Sequence, residues 1–483
     1  MNVLFASSEA HPLIKTGGLA DVSGALPRAL KNLHQDVRLV LPAYQSVKQQ
    51  LSGVKTLARF QPPGCTFSVQ LLESRVPDSR MRLYLIDIPE YFDRPGNPYV
   101  GPDGKDWPDN AQRFHAFARA LVELAMDRVG VDWKPDIVHC NDWQTGLVPA
   151  LLNLEGNRPA TMFTIHNLAY QGLFDWPTFQ DLGLPGHWWS LHALEFHGQL
   201  AFIKGGLVFA DWITTVSPTY AGEIQTPALG YGLEGLLRVR AARLRGILNG
   251  ADYRTWSPGR DPHIPHHYDG RSLAGKAADK SELQAEFGLP RRESVPLLAH
   301  IGRLIEQKGI DLLLDCLPEL LAGDVQLVLL GSGEAALEAR LRALQTKYPD
   351  KVGLRLGYDE PLAHRIEAGA DLFVMPSRFE PCGLNQIYSL RYGTLPVVRR
   401  TGGLADTVVD ADAAARMAGT ATGFVFDEST PAALAEALLR ALALYRQAPV
   451  WKRLVHTAMR QDFSWRRSAA QYLELYETAL AGR

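Results

Sequence analysis

KTGGLADV occupies Lys15 to Val22, and RTGGLADT occupies Arg400 to Thr407. Each copy follows an apolar, strand-like run: Val3-Leu4-Phe5-Ala6 ahead of the first, Leu395-Pro396-Val397-Val398 ahead of the second. From its Leu-Ala, each passes into a helix-compatible pattern. A strand, a Gly-Gly turn and a helix start leave several backbone N–H groups free, with the positive end of the helix dipole behind them. That arrangement suits a phosphate or an anionic sugar-nucleotide. Gly-Gly also serves simply as a tight turn with φ > 0. Two near-identical copies in separate α/β regions favour a duplicated binding architecture.

Around the first copy, short apolar runs alternate with helical patterns, which predicts parallel βαβ units. Strands are predicted over residues 2–7, 37–41, 81–86, 137–140, 161–165 and 212–216, and helices over 19–33 and 111–129. Three of the strands run into polar residues: Asn141-Asp142-Trp143, His166-Asn167 and Ser217-Pro218. Ligands of open parallel sheets sit outside the carboxyl ends of the strands, so these ends are expected to form one site wall. Residues 91–110, rich in Pro, Gly and Asp, predict a long loop. Residues 176–199 carry Trp188, Trp189, His187, His192 and His197, and read either as a sugar-stacking lid or as a satellite apolar cluster. The histidine spacings match no usual ligand set, so no metal is expected.

A boundary is expected near residues 244–250, followed by an irregular Pro/His-rich segment over 257–268. A second α/β block surrounds the second copy. Strands over 296–301, 325–330 and 372–375 end in Gly302-Arg303, Gly331-Ser332-Gly333-Glu334 and Pro376-Ser377-Arg378. Helical patterns cover 311–321, 335–348 and 431–445, and an amphipathic helix over 466–481 closes the chain through Ala469, Tyr472, Leu473, Tyr476 and Leu480. Gly331-Ser332-Gly333 lacks the rest of a dinucleotide fingerprint, which argues against a nicotinamide enzyme. The expected architecture is two doubly wound α/β domains facing one another.

Composition narrows the function classes. A chain of 483 residues has room for two or three domains. Its net charge of −2 provides no basic face for nucleic acid and no polybasic membrane anchor, so placed cations must hold any anionic ligand. Cys65, Cys140, Cys316 and Cys382 are scattered without a CxxC pair, which argues against a disulfide framework or a zinc site and fits a reducing compartment. No signal peptide is apparent, and no apolar run approaches the roughly 20 residues of a membrane span. The cytoplasm is the expected location.

Two stretches of the second block carry charge suited to a sugar-nucleotide. In Gly302-Arg-Leu-Ile-Glu-Gln-Lys-Gly309, Arg303 and Lys308 are placed either to neutralise adjacent phosphates or to sit in solvent as surface cations. In RFEPCGLNQIYSLRYG, Arg378 to Gly393, Glu380 precedes a predicted helix start. Its carboxylate suits hydrogen bonds from sugar hydroxyls, or alternatively a helix cap or an ion pair.

KTGGLADV, HNLAYQG, ILNG, GRLIEQKG, EPCGL and RTGGLADT occur in the order seen in bacterial glycogen synthases and plant starch synthases, and the chain resembles them over essentially its whole length. The resemblance implies the GT-B fold, with two Rossmann-like doubly wound domains separated by a deep cleft. Residues 1–246 would form an N-terminal, acceptor-side domain and 247–463 a C-terminal, nucleotide-sugar domain, with a helix over 464–483 crossing back to the first. It also implies transfer of glucose from ADP-glucose to the non-reducing end of an α-1,4-glucan, glycogen or a malto-oligosaccharide, with retained configuration and no cofactor.

Carried over by position, Lys15, Gly17 and Gly18 resemble the first domain's contacts to the sugar-nucleotide, with Asp21 assisting. His166 resembles the histidine near the glucose and Asp142 the strand-end acid beside it; Asn249 would contact donor sugar or phosphate from the hinge side. Arg303 and Lys308 resemble the diphosphate pair, and Glu380 the carboxylate on the glucose hydroxyls, with Cys382, Gly383 and Leu384 supplying backbone contacts. Tyr358 resembles the aromatic that stacks on adenine, and Thr401 and Gly402 would line the same pocket. Tyr388 stands where many GT-B enzymes carry a ribose-binding Glu, and Asn385 where related bacterial enzymes carry Thr. No carboxylate pair stands out as the machinery of a retaining hydrolase, and the family resemblance implies front-face attack with Arg303 and Lys308 stabilising the departing diphosphate. Rival readings are a phosphorylase carrying pyridoxal phosphate, a UDP-sugar epimerase, and a non-catalytic glucan-binding relative. The choice of ADP-glucose or UDP-glucose would depend on the pocket around Tyr358.

Overall fold

The apolar run ahead of the first KTGG string becomes the middle of a large sheet. The computed structural model describes residues 1–77 and 79–482. Its first unit comprises Met1–Gly250 and the closing helix Trp465–Ala481; its second comprises Ala251–Ser464. Strands of the first unit are β1 (Asn2–Ala6), β2 (Asp36–Pro42), β3 (Lys55–Phe60), β4 (Val69–Arg75), β5 (Arg82–Asp87), β6 (Ile137–Asn141) and β7 (Ala160–Ile165). Then come β8 (Leu173–Phe174), β9 (Glu195–Phe196), β10 (Gln199–Ala201), β11 (Trp212–Thr215) and β12 (Leu244–Gly246). The main sheet runs β12-β11-β7-β6-β1-β2-β5-β4-β3, parallel from β12 to β5 and antiparallel beyond. β6 and β7 are buried along their whole length, as parallel strands covered on both faces must be.

The closing helix packs on helix Gly18–Asn32 and on β7. A buried polar chain fixes it there: His139 on β6 shares hydrogen bonds with Tyr476 Oη (2.6 Å) and Thr164 Oγ1 (2.6 Å), and Thr164 with Thr214 Oγ1 (2.5 Å). Burial drives the His139 pKa down to about 3, so the ring is neutral and its two nitrogens divide donor and acceptor roles. Helix Asn110–Ala125 stops short of the predicted 129, because Asp127 turns to φ +57° and Arg128 N closes the end on the Glu123 carbonyl. At the expected boundary near residues 244–250 the strand is β12, paired with β11, and residues 247–250 are irregular. The tryptophan-rich stretch folds as helix Trp176–Asp181 plus a three-stranded sheet β8-β10-β9, with Trp176, Phe179 and Trp189 packed ring on ring.

The second unit holds β13 (Leu297–Ile301), β14 (Gln326–Gly331), β15 (Val352–Leu356), β16 (Leu372–Met375), β17 (Leu395–Arg399) and β18 (Phe424–Phe426), all parallel in the order β15-β14-β13-β16-β17-β18. Alternation along the strands splits the core in two. Leu298, Leu327, Leu329, Val374 and Val397 pack with helices Ile310–Leu321 and Pro431–Tyr445, while Leu297, Ala299, Val328, Phe373 and Val398 pack with helices Ala274–Glu286 and Glu360–Gly369. The chain enters this unit at Ala251 and leaves it at Ser464, and the two ends are joined by Ala251 N donating to the Phe463 carbonyl at 2.7 Å. Among the described residues no helix is long and apolar enough to cross a membrane.

Candidate active site

In the first unit the site begins at the end of β1. Glu9, 3% exposed, takes Thr16 N (2.5 Å), Thr16 Oγ1 (2.8 Å) and Gly17 N (3.3 Å) on its carboxylate. Tyr99 Oη donates to Oε1, the oxygen that also takes Thr16 Oγ1, at 2.9 Å, and Ser8 Oγ lies 2.7 Å from the same tyrosine hydroxyl. Burial raises the Glu9 pKa, and these donors pull it back in part. A strand-end carboxylate thus presets the TGG turn. Helix Gly18–Asn32 starts directly after it, at the second glycine rather than at Leu19, and has no side-chain cap. A Cβ on Gly17 or Gly18 would meet nothing within 4 Å, so the space in front of this turn is open. Lys15 Nζ pairs with Asp21 Oδ1 at 2.8 Å across the mouth of the turn, with both groups partly exposed.

The neighbouring strand ends are more tightly built. Asp142, just past β6, sits at φ +56°, ψ −179°, a region essentially reserved for glycine. Its N–H donates to the Thr164 carbonyl, and its Oδ1 accepts His166 N at 2.7 Å. Burial lifts the Asp142 pKa to about 7, and the nearby Glu9 charge adds to the lift. His166 Nε2 lies 2.9 Å from Asn141 Oδ1, while Asn141 Nδ2 donates to the Ala6 carbonyl. Asn141 Oδ1 is therefore the acceptor, His166 carries its proton on Nε2, and Nδ1 keeps a lone pair. Burial holds the His166 pKa near 3, so the imidazole is neutral. Asn249 is buried, and its Oδ1 has no hydrogen-bond partner among the described residues.

In the second unit, two loops that follow β13 and β16 are clamped together. Arg378 reaches Asp311 with both Nη atoms at 2.7 Å, and its N–H donates to the Gln307 carbonyl. Gly309 adopts φ +67° with the Pro376 carbonyl where a Cβ would be, at 2.1 Å. This brings Lys308 to Glu380: Nζ to Oε2 is 2.5 Å, and Ser377 Oγ donates to the same oxygen at 3.0 Å. Glu380 is 6% exposed and its Oε1 accepts no hydrogen bond from the described residues. Arg303, exposed at the end of β13, has no side-chain partner among them. The two cations are thus unequal, since one is already paired with the carboxylate.

The second TGG copy differs from the first. Gly402 turns at φ +42°, and a Cβ there would lie 1.9 Å from the Glu380 carbonyl; one on Gly403 would lie 2.2 Å from the Cys382 carbonyl. Gly403 N donates to the carbonyls of Glu380 and Pro381. Its helix, Gly402–Thr407, has six residues against fifteen in the first copy. These glycines serve close packing on the Glu380–Cys382 loop, so the expectation of open N–H donors fails here. Thr401 is buried beside them. Gly331 and Gly333 do similar work, each pressed on a carbonyl of Gly302 or Leu304.

Around this core, Gly383 (φ +69°) and Cys382 give their carbonyls to Gln386 Nε2, both at 3.0 Å, ahead of helix Asn385–Tyr392. Leu384 packs at the start of that helix against the Tyr388 cluster. Asn385 donates to the Ile301 carbonyl at 3.0 Å, tying the helix to the loop that bears Arg303. Tyr388 stacks on Trp256 at 4.1 Å, which in turn stacks on His364 at 3.6 Å, so this position belongs to the core. Tyr358 is 77% exposed with its hydroxyl on Glu360 at 2.6 Å, which leaves the ring accessible.

Comparison with known proteins gives this arrangement a family. Residues 2–239 match the model of the starch synthase catalytic domain, and residues 282–453 that of glycosyl transferases group 1. The glycogen synthase of Thioalkalivibrio sulfidiphilus is 60% identical over 99% of both chains, and glycogen synthase 1 of Methylococcus capsulatus 54% over 100% of this chain and 97% of its own. The chain belongs to the glycogen synthase family. The catalytic domain of starch synthase IV from Arabidopsis thaliana, solved with ADP and acarbose, superposes with a TM-score of 0.89 at 33% identity over 99% of each chain. The fold is GT-B, two Rossmann-like domains, and the protein is a glycosyltransferase. A sucrose-phosphate synthase from Thermosynechococcus elongatus, at 18% identity and a TM-score of 0.61 over the whole of both chains, shares the fold.

Sequence reasoning passed over Glu9 and Tyr99, and gave Asn141 and Ser377 a place at a strand end but no partner. Glu9 was within reach, because the strand-end rule applied to β6 and β7 applies equally to β1, which runs into Ser7-Ser8-Glu9. Tyr99 gives no local signal; it comes from the predicted long loop, 90 residues away in sequence.

Proposed function

We propose that the enzyme transfers glucose from ADP-glucose to the non-reducing end of an α-1,4-glucan, with retention of configuration and in the cytoplasm. The observation that carries this reading is the Lys308–Glu380 pair, together with an exposed, unpaired Arg303 guanidinium earlier on the loop that bears Lys308. Arg303 and Lys308 hold the diphosphate, and their charge stabilises it as it departs, an effect worth several kcal/mol in a dry site. Glu380 Oε1 takes hydroxyls of the transferred glucose, with Cys382, Gly383 and Leu384 giving backbone contacts. Tyr358 stacks on the adenine, and Thr401 and Gly402 shape the wall behind it. From the first unit, Lys15 and the open face of Gly17 and Gly18 bind the donor, assisted by Asp21, and Asn249 supplies its unused oxygen.

A neutral His166 with a lone pair on Nδ1 accepts a sugar hydroxyl and cannot act as an acid near pH 7. Asp142, with a pKa near neutrality, can hold or release a proton beside it. The diphosphate itself accepts the proton of the attacking hydroxyl, on the same face from which it leaves. No further group is required as a cofactor. Glycogen or a malto-oligosaccharide is the acceptor, and no nucleic acid or membrane takes part.

Incubation with labelled ADP-glucose and glycogen tests this directly. Elongation from the non-reducing end, with ADP-glucose outcompeting UDP-glucose, is the expected result. Absence of elongation would remove the proposal, and so would a doubly substituted Arg303→Ala, Lys308→Ala enzyme whose kcat is almost unchanged.

A further inference from the structure

In the second unit the strand order reverses between β13 and β16: β14 and β15 continue to one side, β17 and β18 to the other. Such a switch point opens a crevice at the carboxyl ends of the strands. β13 stays paired with β14 as far as Ile301 and Leu330, and β16 with β17 as far as Met375 and Val398. Between β13 and β16 themselves, pairing stops at Ala299 and Phe373. The next residue on β13 is His300, 2% exposed, and its imidazole spans the gap: Nδ1 lies 2.8 Å from the Val374 carbonyl.

A carbonyl only accepts, so Nδ1 carries a proton. Burial lowers the His300 pKa to about 4, which keeps the ring neutral and leaves Nε2 with a lone pair. Nε2 is buried without a hydrogen-bond partner among the described residues. It lies beneath the turn that leads to Arg303, since a Cβ on Gly302 would stand 3.5 Å from it. The charges of Lys308 and Glu380 both reach the ring. An aliphatic side chain would fill this place without stranding a polar atom, as the neighbouring Leu297 and Leu298 do. A ring that leaves one nitrogen unsatisfied is costly as mere filling, so what the position gains is the bond made by the other nitrogen.

We propose that His300 is a positioning residue for the sugar-nucleotide site: its Nδ1 proton joins the diverging ends of β13 and β16 and sets the span between the loop of Arg303 and Lys308 and the loop of Glu380. His300 is followed by Gly302 and Arg303, and Val374 by Ser377 and Glu380. The Arg378–Asp311 fork and Gly309 against Pro376 hold the same loops from residues further along the β13 loop; the imidazole holds their roots. The inference rests on the assignment of these loops to the donor given above.

His300→Asn places an amide N–H where Nδ1 stands, His300→Gln moves it out to the place of Nε2, and His300→Leu keeps bulk and removes both. With ADP-glucose and glycogen, kcat/KM for the donor is expected to fall about tenfold or more in His300→Gln and His300→Leu, and no more than about threefold in His300→Asn. KM for glycogen should hold in each variant, which a general loosening of the fold would not spare. Thermal melts run alongside establish that each variant is folded at the assay temperature. In the unaltered enzyme, nuclear magnetic resonance of the imidazole nitrogens, with His300 identified by its loss in His300→Asn, should show the neutral Nδ1–H form near neutral pH. An Nε2–H tautomer, full activity in His300→Leu, or activity kept by His300→Gln and lost by His300→Asn would overturn the assignment. If the enzyme accepts UDP-glucose alone, the ADP-glucose reading fails, and the same ratios taken with UDP-glucose still decide the role of His300.

Discussion

Lys308 Nζ rests 2.5 Å from Glu380 Oε2 in the free enzyme, so the carboxylate assigned to the sugar and the ammonium assigned to the phosphate are already one ion pair. Their loops are held by the Arg378–Asp311 fork and by Gly309 against Pro376. A diphosphate on Lys308 would therefore compete with Glu380 for the same ammonium.

Removing one member of a buried pair strands the other. Lys308→Ala is expected to lower stability by about 3 kcal/mol and kcat by roughly a hundredfold or more. Lys308→Met combined with Glu380→Gln should recover most of the stability and none of the activity. Denaturant titrations and steady-state rates on all three proteins separate the two effects.

The two TGG turns should respond oppositely to the same substitution. Gly402→Ala forces a Cβ onto the Glu380 carbonyl at a positive φ and is expected to cost 3 kcal/mol or more, on the order of other severe core clashes. Gly17→Ala meets open space with φ −156°, so the melting temperature should barely move while KM for the donor rises. Thermal melts and donor titrations give both readouts; similar melting losses in the two variants would refute the distinction.

Glu9 acts on the donor through the loop it holds. Glu9→Gln keeps the shape but offers one acceptor oxygen in place of two, and should raise donor KM by roughly tenfold, a loss of about 1–2 kcal/mol of hydrogen bonding. Tyr99→Phe should do the same more weakly. A fall in kcat with unchanged KM would place Glu9 elsewhere.

Asp142 gives the protein a pH signature. Its carboxyl is raised from an ordinary 3.8 to about 7 by burial, so between those values the folded protein holds a proton that the unfolded chain has lost. Stability from this group is greatest at low pH and falls as pH rises through that window, by up to about 4 kcal/mol. His139 and His166, lowered to about 3, act in the opposite sense: the unfolded chain takes up their protons first, and stability falls as pH drops below about 6.5. Asp142→Asn removes only the first trend, so its stability relative to the parent should climb from pH 4 to pH 7 in parallel denaturant titrations.

Much of this was legible from residues. Polar residues at the ends of apolar runs pointed to Asp142 and His166 in one unit and to Arg303 and the loop before Glu380 in the other, because each parallel sheet brings its own strand ends to one edge. Glycines were legible as turns but not in purpose: identical TGG strings face open space in one unit and a packed loop in the other. What decides between them is the neighbouring backbone, and that neighbour is set by tertiary structure. Tyr99 on Glu9, Trp256 on Tyr388 and the identity of Lys308 as the partner in the ion pair allowed for Glu380 escaped for the same reason. Each joins segments far apart in sequence with no local pattern to announce the contact.

The closing helix has a consequence for biosynthesis. Tyr476 satisfies His139 at the heart of the first unit, and Ser468 Oγ caps the Leu248 carbonyl at 2.6 Å. A chain emerging from the ribosome therefore makes the whole second unit before the first can close. Until the last residues appear, a nearly complete nine-stranded sheet waits with an uncovered apolar strip where Ala469, Tyr472 and Leu475 belong. Truncation by some twenty residues at the far end would injure the domain that was translated first, and leave intact the one translated last.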